Sequence, residues 1–195
     1  MINIIDRVKN ILLKPKDEWP VIAGETTSTV DLYMQYVMPV AAIPAAATFI
    51  GMSVVGMPVI GRFSMATGLS IMVTQYILAL VSVFVLSLLI DFLAPQFGGE
   101  RNRAQALKVS AYAMTAAWVA GIFAILPMLG ILSMLGLYSI YLLYLGLPVL
   151  MKAPAEKAAI YTVVVLVAAV VIWFLIAAVT AALMPAASLT MPHLR

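Results

Sequence analysis

Few side chains in this chain could do chemistry. Asp91 is the one carboxylate close to the interior of an apolar stretch, four residues before Pro95. An ionisable group within a membrane span is by default a candidate for a proton, ion or headgroup site. Its shallow depth favours the other reading, an interfacial position or a structural ion pair with Arg101, Arg103 or Lys108. Gln75 stands between Thr74 and Tyr76 in the same stretch. Buried in hydrocarbon, its amide needs a partner, which suits an interhelical contact worth around 1 kcal/mol better than a pathway role. Tyr138, Tyr141 and Tyr144 recur three apart, and Tyr112 and Tyr161 fall near the ends of their helices. Such hydroxyls could line a polar groove, although packing or interfacial anchoring is the commoner use. The candidate binding set is therefore Asp91, Gln75, Tyr112, Tyr141 and Tyr144.

The remaining inventory excludes much. There is no cysteine, and the single histidine, His193, lies in the tail. No thiolate site, histidine-based metal site or catalytic triad can be assembled within one chain. The glycines lack the strand–loop–helix setting of a phosphate loop, and the acids form no helix-borne cluster. These observations lead to the expectation of a non-enzymatic protein with no cofactor and no metal.

What must position these residues is membrane-embedded. The 195 residues are 65% hydrophobic and 10% charged, against about 25% charged in soluble domains. The fold expected is all-α, a polytopic bundle of five transmembrane helices preceded by a short amphipathic helix. Residues 1–30 form an N-terminal segment, 31–184 the membrane domain and 185–195 a tail. The spans are placed at about 33–55, 68–93, 110–126, 128–150 and 158–184. The uncharged interval from Val109 to Met151 is long enough for two spans of about 20 residues, broken at Leu126-Pro127-Met128-Leu129-Gly130. Pro39 and Pro44 predict a kink in the first span. Ala42 and Ala46, Ala177 and Ala181, and Ala178 and Ala182 sit four apart, a spacing that lets helices approach closely.

In Met1–Leu13 the residues Ile4, Ile5, Val8, Ile11 and Leu12 recur at helical spacing, with Asp6, Arg7, Lys9 and Asn10 on the other face. That pattern predicts a helix lying on the membrane surface, ended by Pro15. These charges interrupt any signal-peptide core, so the segment is expected to be retained. Trp19 falls where an aromatic ring anchors at headgroup depth. The membrane-surface set is Lys9, Lys14, Lys16, Trp19, Arg101, Arg103 and Lys108. Five spans place nine of the eleven Lys and Arg residues on the side of the N-terminus, leaving Arg62 and Arg195 opposite. The bias predicts an N-terminus in the cytoplasm and a C-terminus outside, in a bacterial inner membrane. A reporter fused after Leu194 should accordingly be active only outside the cytoplasm. Activity confined to the cytoplasm would break the topology.

Three stretches carry a resemblance. They are Leu12-Leu13-Lys14-Pro15 leading to Trp19 and Glu25, the run from Arg103 to Ala113, and the run from Gly136 to Pro148 ahead of Lys152 and Pro154. In this order and spacing the chain resembles the Yip1 family, in a compact form of the kind found in bacteria. The resemblance implies a five-span bundle with a cytoplasmic N-terminus. Eukaryotic members have a long polar N-terminal segment and are linked to vesicle traffic and lipid-modified small GTPases. This chain lacks that segment, so a GTPase partner is not carried over.

The function expected is organisation of lipids or partner proteins at the membrane. The partners expected are anionic lipids on the cytoplasmic side, with a membrane-protein partner or a homo-oligomer as further candidates. Nucleic acid is not expected, because the basic residues sit in short runs between apolar segments. The alternative is a small transporter or channel, oligomeric if need be, with a polar path near Asp91.

Overall fold

The computed structural model describes residues 3–56 and 61–183 and is all-helical, with no strand among them. Five helices are long and apolar enough to cross a membrane: Thr29–Val55, Met65–Phe97, Arg103–Ile125, Met128–Met151 and Ala155–Val179. They are the first to fifth spans below. The chain is a polytopic helical membrane protein.

Span starts are set by short polar side chains. Ser28, Ser64 and Asn102 each accept a hydrogen bond from the backbone N–H three residues on, at Asp31, Thr67 and Gln105. Such caps satisfy an otherwise orphaned donor. At the other end of the second span, Gly98 takes a left-handed conformation with φ 77°, open to a residue without Cβ.

The prolines shape the first span as their chemistry requires. Pro39 has no N–H, and its ring would clash with the carbonyl four residues back. The helix widens just before it, over Tyr33–Val37, where the Met38 N–H donates to the Tyr33 carbonyl, five residues back. Helical winding resumes over Met38–Phe49 with Pro44 inside it. The third and fourth spans meet near Pro127, and both are tightly wound around it, over Gly121–Ile125 and Pro127–Leu137.

The third span is the central one. Over half of its most apolar window is buried, 56% against 11% for the fourth and fifth spans. It begins at Arg103 and not near Ser110, so Lys108 lies inside the helix, where it is buried. Helices approach closely through glycine more than through the alanine pairs. A Cβ on Gly121 would fall 2.5 Å from Pro44 Cβ on the first span. Ala46, Ala177, Ala178 and Ala181 are exposed instead, and the Ala182 side chain lies outside the described residues. In lipid an alanine can face outward without cost, because the solvent is as apolar as its neighbours.

Two short helices precede the bundle, α1 (Ile4–Leu13) and α2 (Pro15–Gly24). Pro15 ends α1 and also starts α2, since a first-turn proline costs no helical hydrogen bond. The two form a hairpin packed on the end of the bundle where the loops after the second and fourth spans also lie, touching the third and fourth spans. The largest fully buried side chains gather there, among them Trp19, Ile11, Ile22, Leu147, Met151 and Tyr161. This narrows the surface-helix expectation for α1: Ile11 is buried against protein and Ile4, Val8 and Leu12 are half-buried, while Ile5 stays exposed. It also removes Trp19 and Lys108 from the membrane-surface set, because both are buried.

Candidate functional site

The hairpin is held by charge as much as by packing. On α1, Ile4, Arg7 and Ile11 share one face, so Arg7 points inward and is 5% exposed. On α2, Glu18 lies on the face of Trp19 and Ile22 and is 6% exposed. Arg7 Nη1 donates to Glu18 Oε1 at 2.5 Å, and Arg7 Nη2 donates to Glu25 Oε1. The guanidinium also lies 5.7 Å from the centroid of the Tyr112 ring. One cation thus joins both hairpin helices and the linker to the third span.

The third span answers at the C-terminal end of α2. Helix ends leave carbonyls without intrahelical partners. Here Lys108 Nζ donates to the Ile22 carbonyl at 2.9 Å and the Glu25 carbonyl at 2.5 Å. Gln105 Nε2 donates to the Ala23 carbonyl at 2.9 Å. A cation at a helix C-terminus also opposes the helix dipole favourably. This explains how Lys108 tolerates burial.

Beside these contacts opens a cleft of about 650 Å³. Arg7, Glu25, Thr26, Thr27, Asp31 and Gln35 contribute its polar lining, with Tyr36 and Tyr112 beside them. Those two rings pack with centroids 4.4 Å apart. The Tyr36 hydroxyl is 2.7 Å from Thr115 Oγ1. The Tyr112 hydroxyl makes no hydrogen bond among the described residues, though the residue is only 5% exposed. The volume falls within the range of about 300–1,000 Å³ typical of small-ligand sites.

Of the candidate binding residues, only Tyr112 reaches this cleft. Asp91 is buried elsewhere, with Oδ2 3.4 Å from Arg101 Nε and Oδ1 unpartnered. Arg101 lies over the Phe92 ring, and nearby Tyr161 donates to the Ile90 carbonyl at 2.5 Å and stacks on Phe97. Of the partners considered for Asp91, Arg101 is the one it meets. Gln75 is half-buried with no hydrogen bond among the described residues, and it lies about 24 Å from Asp91 along the same helix, at 1.5 Å per residue. Its neighbour Tyr76 makes the interhelical bond instead, to the Met38 carbonyl at 3.1 Å. Tyr141 and Tyr144 are exposed on the fourth span, with the Tyr138 and Tyr141 rings in tilted contact, 5.3 Å between centroids. Asp91, Gln75 and Tyr141 therefore do not converge. Of the surface set, Lys9, Lys14, Lys16, Arg101 and Arg103 are exposed.

Sequence reasoning missed Arg7, Glu18, Glu25, Asp31 and Gln35. The signal was present for the first two: each is a charge interrupting an apolar helical stripe, and the two have opposite sign. No group of acids and histidines able to hold a metal occurs among the described residues.

Comparison with known proteins adds one match. No curated protein and no solved structure matches the chain. A family model described as the Yip1 domain does match, over residues 9–178. That interval takes in the docked hairpin, its linker and most of the five-span bundle, so the chain belongs to the Yip1 domain family.

Proposed function

We propose that this protein is a non-enzymatic organiser of lipids or partner proteins in a bacterial cytoplasmic membrane, with its N-terminus in the cytoplasm. The observation that carries the reading is the hairpin. It is docked on the bundle, it presents Lys9, Lys14 and Lys16 outward, and Arg101 in the loop after the second span and Arg103 at the start of the third are exposed. Anionic headgroups attract such residues by about 1 kcal/mol each. A rigidly docked hairpin holds them in place, so little ordering entropy opposes the contact.

Charge reversal at Lys9, Lys14 and Lys16 together is expected to lower phosphatidylglycerol retention by roughly tenfold or more. Native mass spectrometry of the detergent-purified protein reads this directly. Retention equal to wild type would remove the reading. A transport role has no comparable observation behind it, because the polar groups expected to form its path lie apart.

A further inference from the structure

We propose that the cleft between the hairpin linker and the first and third spans is a binding site for a primary ammonium group, of the kind carried by an ethanolamine headgroup or a free amine. This goes beyond the reading above, which concerns exposed lysines and anionic lipid.

The sign of the charge comes first. Two carboxylates, Glu25 and Asp31, line the cleft with one cation, Arg7. Arg7 is already committed: both of its terminal nitrogens are engaged, and the buried Glu18 behind it offsets its charge. The space in front of Glu25 and Asp31 is therefore negative, and a concave low-dielectric wall concentrates that field. Counting Glu18 and the buried Lys108 behind the wall as well, three carboxylates face two cations. Both cations are already engaged by Glu18, Glu25 and the Ile22 and Glu25 carbonyls, so the balance left for a ligand is negative.

The shape and hydrogen bonding agree. Glu25 gives one oxygen to Arg7 and its other oxygen has no hydrogen bond among the described residues. Asp31 is exposed on the cleft wall, where Oδ2 accepts from Ser28 Oγ at 2.5 Å and Oδ1 accepts from Gln35 Nε2 at the long distance of 3.5 Å. An ammonium carries three donors and no acceptor, which matches two carboxylates and a hydroxyl. The hydroxyl is that of Tyr112, nine-tenths buried, lining the cleft and unpartnered. The Tyr36 and Tyr112 rings, packed on each other, form the inner wall behind it. The mouth lies at the start of the first span, beside the linker residues Thr26 and Thr27. A headgroup still attached to its lipid can reach it from the bilayer surface.

The test uses the full chain purified in detergent. Phosphatidylethanolamine and phosphatidylglycerol are titrated by native mass spectrometry, and free ethanolamine is titrated by calorimetry. Saturable uptake of the amine-bearing lipid over phosphatidylglycerol is expected. Asp31→Asn should weaken it about tenfold, the scale of one hydrogen bond to a charged group. Tyr112→Phe, which keeps the ring, should weaken it several-fold, and charge reversal of Lys9, Lys14 and Lys16 should leave it unchanged. Asp31 is exposed, so its variant does not depend on core packing. If free ethanolamine binds with the same sensitivity to Asp31→Asn while the lipid does not, the site stands with a soluble amine as its ligand. Equal uptake of the two lipids by the chain with Lys9, Lys14 and Lys16 reversed, or amine binding indifferent to Asp31→Asn, overturns it. Failure of the anionic-lipid reading shows separately, as phosphatidylglycerol retention that ignores the lysine reversal.

Discussion

Arg7→Met is expected to release the hairpin from the bundle while the five spans stay folded. The guanidinium bonds Glu18 and Glu25 at once, and the Arg7 and Glu18 side chains are only 6% and 8% exposed. Removing the cation strands the Glu18 carboxylate among Trp19, Ile22 and Ile11, all with no exposed surface. Breaking one side of a buried pair costs about 3–5 kcal/mol. The hairpin packs chiefly on the third and fourth spans and carries none of the contacts between the spans themselves, so the cost appears as local opening and not as global unfolding. Amide exchange in α1 and α2 should accelerate by about two to three orders of magnitude, at roughly 1.4 kcal/mol per decade. Proteolysis within residues 24–28 should rise with it. The double variant Arg7→Met with Glu18→Leu should recover most of the protection, because replacing a whole buried pair by apolar side chains is often neutral. Glu25 is 29% exposed and can rehydrate. Exchange in Arg7→Met equal to wild type would sink the account.

This pair shows which parts of the fold were legible in sequence. Five spans follow from apolar length and from charge-bearing gaps, and both signals are large enough to survive local irregularity. The start of the third span was missed because Arg103 and Lys108 read as loop. Their helix is capped by Asn102, and Lys108 is reconciled with burial by carbonyls of α2, some 80 residues earlier. That partnership is tertiary and leaves no mark near Lys108 in the chain. Arg7 was assigned to the polar face because the count followed the apolar residues and not the stripe they define. Asp91 meets Arg101, a cation only ten residues on, and a partner that near in the chain is visible in sequence. The tyrosines divided by a property the sequence does not encode: Tyr112 is on the central span and is covered, whereas Tyr141 and Tyr144 are on a peripheral span and face outward.

The second large effect concerns Trp19 and Gly146. Position 19 was expected at headgroup depth, yet its indole has no exposed surface. It packs against Gly146 on the fourth span, where an added Cβ would fall 2.7 Å from Trp19 Cζ2, and meets the edge of Tyr112 at 6.5 Å between centroids. Truncation in Trp19→Ala removes a large buried ring and should cost the docked state about 3–5 kcal/mol. Gly146→Val attacks the same contact from the other side. The new side chain takes the indole's place, and overpacking of this kind costs about 1–3 kcal/mol. Trp118 and Trp173 can be replaced by Phe so that emission reports position 19 alone. Gly146→Val should then shift that emission to the red as the ring meets water, and speed amide exchange in α2. In Trp19→Ala the valine has room, so the penalty of Gly146→Val should shrink in the double variant, a coupling expected only for residues in contact. Additive penalties would place the indole away from Gly146, and with it the hairpin away from the fourth span.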